Sequence, residues 1–79
     1  MARYYFNVRD GSSLDDHEGV ELSDLGAARQ EALRIAAGLL RDSADEIWAL
    51  SEWSMHVADS TGKEVITLRF SASSAEYSE

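Results

Sequence analysis

A chain of 79 residues without cysteine has room for one small domain and no disulfide or thiolate-bound metal to hold it. Its formal charge of −8, from fifteen acidic and seven basic side chains, argues against a protein that grips nucleic-acid phosphates, which needs a basic face. No apolar run approaches the roughly 20 residues that cross a bilayer, and the N-terminal MARYYF lacks the apolar core of a secretory signal, so a cytoplasmic location with no membrane partner is expected.

Residues 3–9, RYYFNVR, alternate. Tyr4, Phe6 and Val8 fall on one side and Tyr5, Asn7 and Arg9 on the other, the period of a half-buried strand. Asp10-Gly11 marks a turn. Residues 12–19, SSLDDHEG, read as an exposed acidic loop in which Gly19 can take a positive φ. A short extended piece at 19–22 would tuck Val20 and Leu22 into the core.

The longest periodic run is 23–41, SDLGAARQEALRIAAGLLR. Leu25, Ala28, Ala32, Ile35, Ala36 and Leu39 recur at the three-and-four spacing of one helical stripe, which Leu33 and Leu40 widen. Ser23 is the expected N-cap, with Asp24 adding favourable charge at that end. Gly26 and Gly38 each weaken such a helix by roughly 0.8–1 kcal/mol relative to alanine. At Gly38 the reason is either close approach of a neighbouring backbone or simple tolerance at the surface. Residues 42–51 either extend the helix or form a second helical turn after a break near Ser43. Ile47, Trp48 and Leu50 need burial there, and Trp48 or Ile47 is expected to close one end of the core.

Residues 52–59, EWSMHVAD, alternate again, Trp53, Met55 and Val57 against Ser54, His56 and Ala58. Ser60 to Lys63 is a tight connection with glycine where a hairpin needs it. In 64–70, EVITLRF, Ile66, Leu68 and Phe70 point one way and Val65, Thr67 and Arg69 the other. Residues 71–79 are small, polar and acidic, and read as a disordered tail beyond a domain at 1–70.

These elements predict an α+β fold: a small antiparallel or mixed sheet of three or four strands with one long helix packed on one face, in the order β-(β)-α-β-β. Strand 64–70, the most apolar, is expected at the centre. Strands 3–9 and 52–59, joined through the helix, suggest a split β-α-β arrangement. The other sheet face stays open. Tyr5, Asn7, Arg9, His56, Val65, Thr67 and Arg69 on it are the candidate interface, with Ser54 among them. Tyr5 and Val65 give that face its apolar character.

The strings YYFNVRDG, DDHEGVELSDLGAARQEALRIA and VADSTGKEVITLRF resemble a family of short bacterial proteins catalogued only as a domain of unknown function. Its members look like YFHVRDG, then D-x-EG-x-EL-x-DL-x-x-A-x-x-EA, then a hairpin with a D-x-x-G turn. The likeness spans roughly 3–70. Asn7 stands where relatives carry histidine, so a role of that histidine would not carry over. The resemblance implies no activity, substrate or cofactor. The central motif is also loosely similar to the strand-to-helix step of HicB-like antitoxin domains, whose strand order around the helix differs.

Asp10, Asp15, Asp16, His17 and Glu18 cluster in one loop, but their spacing is not that of a calcium-binding loop. They read as a solvated acidic loop, and no metal or cofactor is expected. A serine, a histidine and an acid are present without a hydrolase spacing or a G-x-S-x-G elbow, so no catalytic residues are expected. Trp48 and Trp53 are flanked by Asp45, Glu46 and Glu52, which suits core packing better than stacking on nucleic acid. The expected function is non-enzymatic protein–protein contact. It would be self-association as a homo-oligomer through the open face or an edge strand. The alternative is an antitoxin-like module that masks a basic protein partner.

Overall fold

A computed structural model of the chain describes residues 1–11, 13–48 and 52–75, apart from the side chain of Ile47. The alternating N-terminal run forms β1, Ala2–Arg9. The chain turns back through a two-residue β2, Ser13–Leu14, and a three-residue β3, Val20–Leu22. The periodic run becomes α1, Leu25–Asp42, followed by a single turn, α2, Ala44–Ile47. β4, Trp53–Ala58, and β5, Glu64–Phe70, close the fold as a hairpin.

The result is an open antiparallel sheet of five strands with one long helix packed against it, the α+β fold expected with one strand more. The order is β2-β1-β4-β5, and β3 also pairs with β1. β2 meets β1 at Val8 and Arg9, and β3 meets it at Ala2 to Tyr4. The returning chain therefore runs along one edge of β1 while β4 occupies the other. Both β3 and β4 are antiparallel to β1, hence parallel to each other, and α1 crosses over β1 between them. The split β-α-β unit is present, with β3 rather than β1 as its first parallel strand.

Strand 64–70 is not central. β4 lies between β1 and β5, and its core-side residues Trp53, Met55 and Val57 are buried. On β5, Ile66 and Leu68 are only half-buried and Phe70 is 38% exposed. Apolar content tells which side of a strand faces the core; the number of neighbouring strands decides how deeply that side is buried.

The core joins Tyr4, Phe6 and Val8 of β1 and the β4 triplet to Ala28, Ala32 and Ala36 of α1. The middle of the helix stripe is thus alanine, which lets the helix lie close to large side chains rising from the sheet. Ile35, Leu39 and Leu40 pack half-buried beside it, whereas Leu33 is 61% exposed and Leu25 sits at the exposed helix start. Leu33 lies off the covered stripe, whereas Leu25 is on it but at the first residue of the helix, where the cover ends. Asp24, not Ser23, is the N-cap: its Oδ1 accepts from the Ala27 amide at 2.8 Å and its carbonyl from the Ala28 amide. A carboxylate there also meets the positive end of the helix dipole.

α1 stops at Ser43, whose amide donates to the Leu39 carbonyl, and α2 is the second turn expected after a break. Trp48 does not close the core; it is 62% exposed. The placements expected for the Ile47 side chain and for Leu50 lie outside the described residues. Ala72, beyond the expected domain boundary, packs half-buried against the core. Among the described residues no helix is long and apolar enough to cross a membrane.

Among the described residues Gly38 has no close neighbour: a methyl group built there meets nothing within 4 Å. Replacing it with alanine therefore removes a helix penalty without a clash. Gly38→Ala is expected to raise unfolding free energy by about 0.8–1 kcal/mol in urea titrations. An unchanged or lowered midpoint would place a neighbour at that site.

Candidate functional site

The strand residues that do not face the helix form a lattice on the other side of the sheet. Three cross-strand rows make it: Arg9–Ser54–Arg69, Asn7–His56–Thr67 and Tyr5–Ala58–Glu64. Opposed residues in such rows bring their side chains within reach of one another. The third row departs from the sequence pattern. A register shift at Val57/Ala58 sets Ala58 opposite Glu64 rather than Val65. Val65 packs instead with the apolar residues around the core. One extra residue in a strand re-aims its neighbours in this way, so the open face exchanges a valine for a carboxylate.

Glu64 completes a hydrogen-bonded chain across β4 and β5. Ser54 Oγ lies 3.0 Å from His56 Nε2, and His56 Nδ1 lies 3.0 Å from Glu64 Oε1. The Thr67 hydroxyl donates to Glu64 Oε2 at 2.8 Å. An ionised carboxylate can only accept, so it fixes the imidazole proton on Nδ1 and leaves Nε2 to accept from Ser54. The Thr67 hydrogen bond is the main cause holding the Glu64 carboxyl below its ordinary value; burial opposes it, and His56 and Arg69 add to it. Ser54 is buried under this lattice and His56 is partly exposed. A shallow depression of about 300 Å³ opens beside the chain, lined by Asn7, Arg9, His56, Ala58, Gly62 and Glu64.

The acidic loop is tied down rather than solvated throughout. Asp16 accepts from the Phe6 amide through Oδ2 at 3.1 Å and from the Glu18 and Gly19 amides through Oδ1 at 3.1 and 3.0 Å. Its own amide donates to Asn7 Oδ1 at 2.9 Å. Burial pushes the Asp16 carboxyl up, but the hydrogen bonds from Gly19, Phe6 and Glu18, helped by His17, outweigh it and keep the value below 3.8. Asp15 pairs with Arg9 at 3.1 Å, and Arg3 reaches Glu21 and the Glu18 carbonyl. Gly19 has φ +74°, and a Cβ there would meet Arg3 Cγ, Tyr5 Cε2 and Tyr4 O within 3.0 Å. Glycine is required on both counts.

Of the candidate interface residues, Tyr5, Asn7, Arg9, His56, Thr67 and Arg69 share the lattice, and Val65 does not. Alternation counted from Phe70 puts Glu64 with the core residues, and only the bulge turns it over. Ser54 and His56, two apart on a strand, were legible as neighbours on one face, but their acid was not.

Residues 3–71, most of the chain, match the model of a family described as Domain of unknown function (DUF6894), and the chain belongs to that family. No curated protein and no solved structure was found to match it.

Asp16→Ala removes the acceptor of three backbone amides. It is expected to lower stability by about 1.5–3 kcal/mol in urea titrations at neutral pH, the range for hydrogen bonds to a charged group. The sign with pH follows from the lowered value. The unfolded chain takes up this proton at higher pH than the folded one, so the contribution is complete above pH 3.8 and is lost as pH falls through the lower folded value. Asp16→Ala should flatten that acid-side loss. A wild-type-like slope below pH 3.8 would mean that the latch does not depend on ionisation.

Proposed function

We propose that this protein acts through protein–protein contact, by pairing with a second copy along the outer edge of β5. The observation that carries the reading is the position of β5. It ends the strand order, spans seven residues, and has no strand partner on its outer side among the described residues. Such an edge offers a row of unpaired backbone donors and acceptors to another strand.

The side chains support the same reading. α1 lies over β3 and β4 rather than over β5. Ile66, Leu68 and Phe70 therefore keep part of their apolar surface in water. Antiparallel pairing of two β5 strands about a two-fold axis sets these residues opposite their counterparts on one face of a continuous sheet. The gain is largest for the edge strand, because it is the least covered. On the other face Ser54, His56, Glu64 and Thr67 already bond to one another, so that face supports contact less well than the edge does.

Light scattering at micromolar concentration is expected to give about twice the 8.7 kDa of one chain. Phe70→Lys, which puts a charge on an exposed position at the end of β5, is expected to return the mass to one chain with the melting temperature little changed. A wild-type mass of 8.7 kDa at every concentration would end the proposal. The charge of −8 supports a second reading, an antitoxin-like acidic surface that masks a basic protein. A monomeric chain whose complex with a basic protein fades in high salt would favour that reading.

A further inference from the structure

We propose that Ser54, His56 and Glu64 form a nucleophilic relay able to hydrolyse small carboxylic esters, with Ser54 Oγ as the attacking atom. This goes beyond contact between copies and does not depend on it. A serine is a poor nucleophile unless a base stands at hydrogen-bond distance and a third group orients that base. Both requirements are met here. Nε2 of His56 lies 3.0 Å from Ser54 Oγ, and Nδ1 lies 3.0 Å from Glu64 Oε1. The carboxylate is itself held through its other oxygen by the Thr67 hydroxyl at 2.8 Å.

The chemistry balances within these groups and water. Ser54 Oγ attacks the ester carbonyl carbon while its proton passes to His56 Nε2. The carbon–oxygen bond to the leaving alcohol breaks, and that alcohol takes the proton from Nε2. Water then attacks the acyl carbon, gives a proton to Nε2, and the carboxylic acid leaves as the proton returns to Ser54 Oγ. Glu64 keeps the imidazole in the required tautomer and balances the imidazolium charge.

The surroundings fit the charges that develop. Arg9 and Arg69 are the two cross-strand neighbours of Ser54, one on each side. Two cationic residues opposite Ser54 in the sheet favour, through their charge, the oxyanion of a tetrahedral intermediate, although Arg9 is also paired with Asp15. Ser54 is only 7% exposed, and both flanking arginines are exposed. An ester therefore reaches Oγ only when a neighbouring side chain moves aside, and exposed side chains reorient in picoseconds to nanoseconds. The depression lined by His56, Glu64, Asn7 and Arg9 lies one row away and offers a seat for the alcohol part of a small ester.

The test is covalent labelling of the full chain with a fluorophosphonate, mapped by tandem mass spectrometry, together with turnover of p-nitrophenyl acetate. The label is expected on Ser54, and turnover is expected to vanish in Ser54→Ala. In His56→Gln the labelling rate should fall by about 10²-fold or more, the usual contribution of a positioned base. Glu64→Gln should also slow labelling, and its exposed position spares the fold if His56→Gln does not fold. A folded wild-type chain left unlabelled at Ser54 would overturn the proposal. So would labelling at the wild-type rate in either folded variant, or turnover retained in Ser54→Ala.

Discussion

A single carboxylate replaces a stretch of missing strand. The edge of β1 away from β4 is covered by the returning chain, but β2 reaches only Val8 and Arg9, and β3 only Ala2 to Tyr4. Between them the Phe6 amide would face the loop unpaired, next to a buried phenylalanine. Asp16 Oδ2 fills that gap, while Oδ1 collects the amides of Glu18 and Gly19 and turns the chain into β3. An orphaned amide beside the core costs about as much as a lost hydrogen bond. One side chain therefore satisfies the strand edge and shapes the loop at once. Asn7, on the open face, receives the Asp16 amide, so the latch also ties the edge of β1 to its open face.

Much else follows from that latch. β3 can lie parallel to β4 only if the loop delivers it to the far edge of β1, and only then does α1 cross over β1. The crossing is close because the centre of the helix stripe is Ala28, Ala32 and Ala36. Tyr4, Phe6, Trp53 and Met55 supply the volume from below. The helix ends for an electrostatic reason as well as a local one. Asp42, Asp45 and Glu46 crowd its negative end, where only Arg41 is favourable.

The parts legible in the sequence were those encoded by period. Alternation in 3–9 and 52–59 named the inward residues, Tyr4, Phe6, Val8, Trp53, Met55 and Val57, and all six are buried. The three-and-four spacing found the alanines. What periodicity cannot encode is which strand gains two neighbours, so β5 with its four apolar residues looked central and proved to be the edge. Nor can it mark a register shift: Val65 and Glu64 exchange faces through the bulge, with no glycine or proline to announce it. The N-cap slipped by one because Ser23 and Asp24 are both good caps. Geometry decides between them, since Asp24 is the residue whose carboxylate reaches the amide three residues on.

The bulge joins the two outer faces of β5 in one event. By turning Glu64 over, it completes the line from Ser54 through His56 and removes Val65 from the open surface. The same strand carries the edge that has no strand partner among the described residues. An insertion in an edge strand is ordinarily a device against pairing, because it twists the edge away from a partner. Here it falls at the first residues of β5, beside the hairpin turn, and the register from Ile66 to Phe70 runs on undisturbed. The stretch with the regular backbone is also the stretch with the half-covered apolar side chains. The regular stretch carries Thr67 and Arg69 of the polar lattice on one face and Ile66, Leu68 and Phe70 on the other, while the irregular start adds Glu64 to the lattice and takes Val65 away from it.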